Sequence, residues 1–169
     1  MAQDPDISSL KILVADDTPF VRSLIVKMLQ KANAGTVHEA SSGAGALDVL
    51  VETKGKIDCV VCDWNMEPIN GPQVLSLIRR GAVRGIPREL PILMLTSHAD
   101  VELVKLAASL DATAYLTKPV AIEKLVASIA KAIAKPFSPK PVSYYTGIKV
   151  PPVPRDLLER FDKSGASPS

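Results

Sequence analysis

The sequence has 169 residues, of which 20 are lysine or arginine and 18 are aspartate or glutamate, for a formal charge of +2. The hydrophobic content of 47% is ordinary for a globular protein and excludes a disordered or collagen-like chain. The small charge does not argue for nucleic-acid binding. No apolar run is long enough for a membrane span, and the N-terminus lacks a secretory pattern. We therefore expect a cytoplasmic protein.

The proline content divides the chain near residue 135. Seven of the 14 prolines lie beyond this point. We predict one domain over residues 9–134 and a proline-rich C-terminal extension over 135–169. Residues 135–152 are expected to be extended, because proline fixes φ and lacks a backbone donor. Apolar spacing predicts a short helix at 154–161, which needs a surface to pack on because an isolated helix of this length is unstable.

Strands and helices alternate along the predicted domain. Residues 11–15 are an apolar run typical of a buried strand, and Thr18-Pro19 is typical of a helix start. Further strands are predicted at 36–40, 57–62, 91–95 and 112–116, with helices after Ser41 or Ser42, from Pro72, at 101–110 and at 122–133. Strands that are apolar throughout are buried on both faces. The pattern therefore predicts an α/β fold with a five-stranded, doubly wound parallel sheet.

Polar residues follow the predicted strands at the edge where parallel sheets bind ligands. They are Asp16 and Asp17 after the first strand, Asp63 after the third, Thr96 after the fourth and Lys118 after the fifth. Three neighbouring carboxylates repel one another, and a divalent cation would relieve this. Oxygen ligands favour Mg²⁺, or Mn²⁺ in its place. Alternatively, the first two aspartates could serve only as a cap for the first helix.

The other two side chains indicate phosphoryl chemistry. Lys118 can pair with an anion, and the Thr96 hydroxyl can donate a hydrogen bond to the same anion. A metal, an ammonium group and a hydroxyl together surround a phosphoryl group, whose transfer depends on positioning and charge neutralisation. A carboxylate can be the nucleophile. Asp63 is the best candidate because its strand is central.

Over about residues 9–134 these motifs resemble the receiver domain of two-component response regulators. The likeness comprises the acidic pair that ends ILVADD, the sequence DWNM from Asp63, Gly71 eight residues later, Thr96, Tyr115 and Lys118-Pro119. The sequence DWNM is similar in particular to stand-alone chemotaxis-type regulators. The resemblance implies the flavodoxin-like receiver fold.

The resemblance also implies a ligand set and a phosphoacceptor. Asp17, Asp63 and the backbone carbonyl of Asn65 would bind Mg²⁺ directly, and Asp16 would act mostly through water. Asp63 would accept a phosphoryl group from a histidine kinase or a phosphotransfer protein. Lys118, joined to Pro119 by a cis peptide bond, would pair with the phosphoryl oxygens.

A switch is implied as well. Thr96 would swing toward the phosphoryl group and Tyr115 would move inward, which reshapes the face of the fourth helix, fifth strand and fifth helix for a downstream protein. The side chains of Asn65 and His98 would flank the acceptor and tune hydrolysis. The implied protein is not an enzyme beyond a self-limited autophosphatase activity. It would be a monomer or weak homodimer that binds neither DNA nor membranes.

Two other classes use related features. An aspartate-nucleophile phosphatase of the haloacid-dehalogenase type would usually need a second aspartate where Asn65 stands. A flavodoxin-like FMN binder would need a phosphate loop rich in serine, threonine or glycine after the first strand, where Asp16 and Asp17 stand instead.

Several other residues are expected to be structural. Cys59 and Cys62 are predicted to be core residues, and Trp64 either a partly exposed partner contact or loop packing. Arg79 and Arg80 end a helix, where solvated positive charge complements the dipole. The C-terminal extension is expected to dock on the domain or on a partner and to restrict access to the switch face.

Overall fold

Five strands alternate with five helices in the computed structural model, which describes residues 5–98 and 100–162. The elements are β1 (Lys11–Ala15), α1 (Pro19–Lys31), β2 (Thr36–Ala40), α2 (Gly43–Glu52), β3 (Cys59–Asp63), α3 (Gly71–Arg79), β4 (Ile92–Thr96), α4 (Val101–Ser109), β5 (Ala114–Thr117) and α5 (Ile122–Ala134). Two short helices follow them, α6 (Val142–Thr146) and α7 (Arg155–Phe161).

The strands form one parallel sheet in the order β2-β1-β3-β4-β5. Every residue of β3 and β4 is buried, as expected for central strands that are covered on both faces. One apolar cluster includes residues of α2, α3 and α4, and a second includes residues of α1 and α5. The predicted doubly wound parallel sheet is thereby confirmed.

Local sequence signals fix where the helices begin. Pro19 is the first residue of α1, where its missing N–H costs nothing. The Ser42 hydroxyl accepts a hydrogen bond from the backbone N–H of Gly45 and caps α2. Asn70 and Gln73 form a capping box at the start of α3.

Residues 135–162, which we call the C-terminal strap, pack back onto the domain against α3 and α2. The expectation of an extended chain over 135–152 is wrong at α6, where burial of Tyr145 stabilises a helical turn. Phe161 of α7 is 3% exposed and belongs to the same apolar cluster as α2 and α3. Residues 163–169 of the predicted extension lie outside the described residues.

Arg79 is fully buried, which contradicts the expectation of a solvated charge at the end of α3. Its guanidinium donates hydrogen bonds to the backbone carbonyls of Arg88, Leu90 and Asp111. It also lies 4.5 Å from the ring centroid of Phe137 in the strap. Burial lowers the pKa of Arg79 to about 10, so the group remains charged at neutral pH. The expectation of a solvated charge at the end of α3 failed because residues distant in the sequence cover Arg79.

The two cysteines lie inside β3 and are fully buried. Burial raises the pKa of both the Cys59 and the Cys62 thiol, so neither has the thiolate character that redox chemistry requires. This agrees with their prediction as core residues. Over the described ranges, no helix has both the length and the apolar character needed to cross a membrane.

Candidate phosphoacceptor and metal site

Three carboxylates meet at the carboxyl edge of the sheet. Asp16 follows β1 and is buried, Asp17 beside it is exposed, and Asp63 is the last residue of β3. One oxygen from each lies within 4.8 Å of the other two. The parallel strands bring these residues together because their ends align at one edge.

The ammonium group of Lys118 links two of these acids. Lys118 follows β5, and its Nζ donates to Asp16 Oδ2 at 2.8 Å and to Asp63 Oδ1 at 2.9 Å. Its backbone N–H donates to the carbonyl of Thr96, and its peptide bond with Pro119 is cis. The lysine side chain is only 17% exposed, so water weakens these ion pairs less than at the surface.

For both Asp63 and Lys118, burial shifts the pKa in one direction and their mutual contact shifts it in the other. Burial raises the pKa of Asp63, as does repulsion from Asp16 and Asp17, while the hydrogen bond from Lys118 opposes the rise. Burial lowers the pKa of Lys118, but its bonds to Asp16 and Asp63 outweigh this and raise it overall. Three carboxylates with one ammonium group leave a negative site.

The residues present fit a magnesium ion. The clustered ligand atoms are all carboxylate oxygens, which Mg²⁺ prefers, and one lysine does not neutralise three acids. Asp17 opens into a cleft lined also by Asn65, Met66, Glu67 and Asn70. This cleft gives solvent access to the site, as Mg²⁺ needs if it is to keep several waters. Asn65, expected to offer its backbone carbonyl, lies beside Asp17 in the cleft.

The proposed switch residues form a connected set beside the acids. Thr96 is fully buried at the end of β4, and its Oγ1 donates to the His98 carbonyl and accepts from the His98 N–H. The Tyr115 hydroxyl donates to the same carbonyl at 2.9 Å. Tyr115 also meets Trp64 edge to face, with ring centroids 6.0 Å apart. The backbone of His98 thus joins Thr96 to Tyr115, while its side chain is exposed.

A family model for the response regulator receiver domain matches residues 12–130 of this chain. The chain belongs to the response regulator receiver family. This receiver is 34% identical to the chemotaxis protein CheY-3 of Vibrio cholerae over 111 residues, which are 66% of this chain and 82% of that protein. The match favours the receiver interpretation over the phosphatase and FMN-binding alternatives, and places the chain in two-component signalling.

Solved structures agree with this assignment. A receiver domain protein from Clostridium thermocellum superposes with a TM-score of 0.67 and 30% identity, covering 74% of the present chain and 94% of that protein's chain. The chemotaxis protein CheY4 of Vibrio cholerae superposes with a TM-score of 0.64 and 28% identity, covering 73% of the present chain and 98% of that protein's chain. The receiver is therefore of the chemotaxis type.

Sequence reasoning missed two features of this receiver's site. Arg22 on α1 donates to the backbone carbonyl of Asp16 at 2.8 Å and also pairs with Glu39. No local motif indicates this role for Arg22. The capping box of Asn70 and Gln73 closes the segment between Asp63 and α3, and its Asn-x-x-Gln spacing could have been found in the sequence.

One expectation for Trp64 is excluded by its burial. Its side chain is 6% exposed and packs on Tyr115, so it is loop packing and not a partly exposed partner contact. Asp16 does support the start of α1, because its Oδ1 accepts from the N–H of Thr18. Its Oδ2 nevertheless bonds Lys118, so capping is not its only contact.

Replacing Asp63 with asparagine should stabilise the metal-free receiver. A carboxyl with a raised pKa contributes most to folding at low pH, and that contribution is lost as pH rises through the folded pKa. At neutral pH the neutral amide should therefore melt at a higher temperature than wild type in EDTA. The difference in melting temperature between the variant and wild type should shrink as the pH falls toward about 4, near the pKa of an unperturbed aspartate.

Thermal unfolding of Asp63→Asn and wild type, each in EDTA and in Mg²⁺, checks this prediction. The exposed carboxylate Asp156 on α7 supplies the control Asp156→Asn. Mg²⁺ at about 100 times its dissociation constant should stabilise wild type by about 2.7 kcal/mol and the Asp63 variant by much less. A variant that melts below wild type in EDTA would contradict the expected cost of burying this charge.

Proposed function

We propose that this chain is a cytoplasmic response regulator that accepts a phosphoryl group on Asp63 and signals by binding a protein partner. The observation that carries the proposal is the double hydrogen bond from Lys118 to Asp63 and Asp16, at the point where three carboxylates meet. This arrangement holds a nucleophile, a cation and a metal-binding set within a few ångströms of one another. The phosphoryl donor would be a histidine kinase or a phosphotransfer protein.

The chain's own residues account for the transfer. An Asp63 carboxylate oxygen attacks phosphorus, a new P–O bond forms, and the bond to the donor's leaving group breaks with its electron pair going to that group. Lys118 would then turn from its carboxylate partners to the added phosphoryl oxygens. Mg²⁺, held by Asp17 and Asp63 with the Asn65 carbonyl and with Asp16 through water, would supply charge neutralisation.

The change at the partner-binding face would start from the hydrogen-bonded residues around His98. A phosphoryl group on Asp63 offers Thr96 a charged acceptor stronger than the carbonyl that it now bonds. The hydroxyl would move toward that acceptor, and Tyr115 would turn inward. Val101 and Val104 on α4 are 66% and 42% exposed. They offer an apolar surface to a downstream protein on the face that α4 shares with β5 and α5.

Most of the described strap packs on α3 and α2, while its start at Phe137 lines a pocket with Ala114 of β5 and Lys131 of α5. Val101 and Val104 on α4 stay exposed, so the expectation that the extension restricts access to the switch face stays a prediction. The exposed side chains of Asn65 and His98 lie on the loops after β3 and β4. We propose that they set how quickly water removes the phosphoryl group.

Phosphorylation by a small donor tests the proposed function. Acetyl phosphate with Mg²⁺ should add the mass of one phosphoryl group to wild type and change the fluorescence of Trp64, which adjoins the acceptor in sequence. Both changes should be lost in Asp63→Asn and in EDTA, and should persist in the control Asp156→Asn. An unchanged mass for wild type, both with acetyl phosphate and with a cognate kinase, would overturn the proposal.

A further inference from the structure

The first turn of α3 is in direct contact with the backbone of the proposed phosphoacceptor. A Cβ on Gly71 would lie 2.6 Å from the carbonyl oxygen of Asp63 and 2.4 Å from Cε of Met94, so only glycine fits. The Gly71 N–H donates to the carbonyl of Trp64 at 2.9 Å. A displacement of this turn therefore displaces the chain that carries Asp63.

Gln73 holds this turn with one end of its buried side-chain amide. Its Oε1 accepts from the backbone N–H of Asn70 at 2.7 Å, and Asn70 Oδ1 accepts from the N–H of Gln73 at 2.9 Å. The other end of the amide belongs to a different contact. Its Nε2 donates to the carbonyls of Pro151 and Pro152 in the strap, at 2.9 and 3.1 Å. One side chain thus joins the acceptor loop to the strap.

The strap is anchored on both sides of this contact. Before it, the buried Tyr145 hydroxyl donates to Asp111 at 2.7 Å. After it, the buried Phe161 ring fills the cluster beneath α7, and its carbonyl accepts from the N–H of Arg84. Arg160 also pairs with Asp48 of α2. These anchors hold the prolines against α3.

We propose that the C-terminal strap positions the phosphoacceptor loop, residues 64–70, and that Gln73 is the positioning residue through which it acts. This inference rests on the proposed function. The docked prolines satisfy one end of the Gln73 amide and fix its orientation, so that the other end holds Asn70 and the loop before it. When the strap undocks, the loop loosens and the metal site loses its preorganised geometry. Mg²⁺ should then bind more weakly.

Two variants of the full chain test the coupling from its two sides. Gln73→Met keeps the length of the side chain and removes both amide contacts. The double variant Pro151→Gly with Pro152→Gly leaves the receiver untouched and makes the undocked strap more flexible. We expect Mg²⁺ to bind about fivefold more weakly in each, the effect of losing about one hydrogen bond. Mg²⁺ titration of Trp64 fluorescence measures this affinity.

The matched control makes the same chemical change at the other end of the strap. Pro136→Gly with Pro139→Gly should lower stability comparably and leave the Mg²⁺ affinity within twofold of wild type. The rate of phosphorylation by acetyl phosphate at saturating Mg²⁺ distinguishes a loss of loop positioning from general damage to the phosphorylation site. It should change less than the affinity does, because excess metal restores the loop geometry.

Each result decides the inference. Weaker Mg²⁺ binding in the Gln73 and Pro151/Pro152 variants, but not in the Pro136/Pro139 control, supports it. Lower melting temperatures with unchanged affinity would show that the strap only stabilises the fold, and would overturn the inference while the proposed function stands. If Gln73→Met does not fold, the proline variants decide alone. Wild type that neither binds Mg²⁺ nor gains a phosphoryl group would defeat the proposed function and the inference together.

Discussion

Lys118→Met should lower the rate of phosphorylation by acetyl phosphate at least about 100-fold, the loss typical of removing one preorganised donor from developing charge. The reason is the position of the ammonium group, which bonds both Asp63 and Asp16 from a side chain that is 17% exposed. No other ammonium or guanidinium group within the described residues bonds either carboxylate. The rate of mass gain at saturating Mg²⁺ measures the effect.

The same substitution should separate metal binding from phosphoryl transfer. Without the ammonium group, Asp16 and Asp63 lose a buried ionic partner, so the metal-free variant should unfold more easily than wild type by about 1–3 kcal/mol. Mg²⁺ should recover most of this stability, because the metal replaces the missing positive charge and binds at least as tightly as in wild type. The phosphorylation rate should not recover, since the phosphoryl oxygens still lack their partner.

A surface lysine provides the matched control. Lys105 on α4 pairs with Glu102 at 3.7 Å, and both side chains are at least 70% exposed. Such pairs contribute little, so Lys105→Met should behave as wild type in both assays. Lys118→Arg keeps the positive charge but changes its geometry. Compared with Lys118→Met, it should recover more of the stability in EDTA than of the phosphorylation rate. A Lys118→Met protein that is phosphorylated at the wild-type rate would remove Lys118 from the mechanism.

The sheet and the acidic site were predictable because their signals are local and repeat along the chain. β1, β3 and β4 are largely apolar runs, and polar residues at or just after the ends of β1, β3, β4 and β5 mark the functional edge. The boundary errors are small and have simple causes. β3 begins at Cys59 and runs to Asp63, whereas the expected strand covered 57–62. The acceptor therefore belongs to the end of the strand itself.

The packing of the strap was not predictable by the same means. Gln73 and Pro151 are 78 positions apart, and neither residue type signals the other in the sequence. Proline content indicated an extended segment, and it could not show that Tyr145 finds a buried site that stabilises a turn of helix. Apolar spacing did indicate the helix at Arg155–Phe161, but it did not reveal which surface that helix covers.

Arg79→Met should destabilise the fold more than either Lys118→Met or Lys105→Met. The buried guanidinium donates to the carbonyls of Arg88, Leu90 and Asp111 at distances of 2.6 to 3.2 Å. Methionine fills similar space but leaves these acceptors without their donor, at a cost of at least about 3 kcal/mol. For a chain of this size that corresponds to a melting temperature lower by roughly 10 °C.

The exposed arginine of α7 supplies the matched control for this prediction. Arg155 is 92% exposed and pairs with Glu159 one turn along α7, so Arg155→Met should stay within about 0.5 kcal/mol of wild type. Urea unfolding followed by circular dichroism gives both free energies. Arg79→Lys should fall near the methionine variant, because one ammonium group cannot reach the carbonyls that the guanidinium fork spans.

The effect of Arg79→Met should extend beyond its own hydrogen bonds. Asp111 gives its carbonyl to Arg79 and its carboxylate to Tyr145 and Lys140 of the strap, so the variant removes one support of the strap's first anchor. The start of the strap at Phe137 should then become accessible to protease before the sheet unfolds. Equal stability of Arg79→Met and Arg155→Met would contradict this account, since a guanidinium buried among carbonyls would then contribute no more than a solvated one.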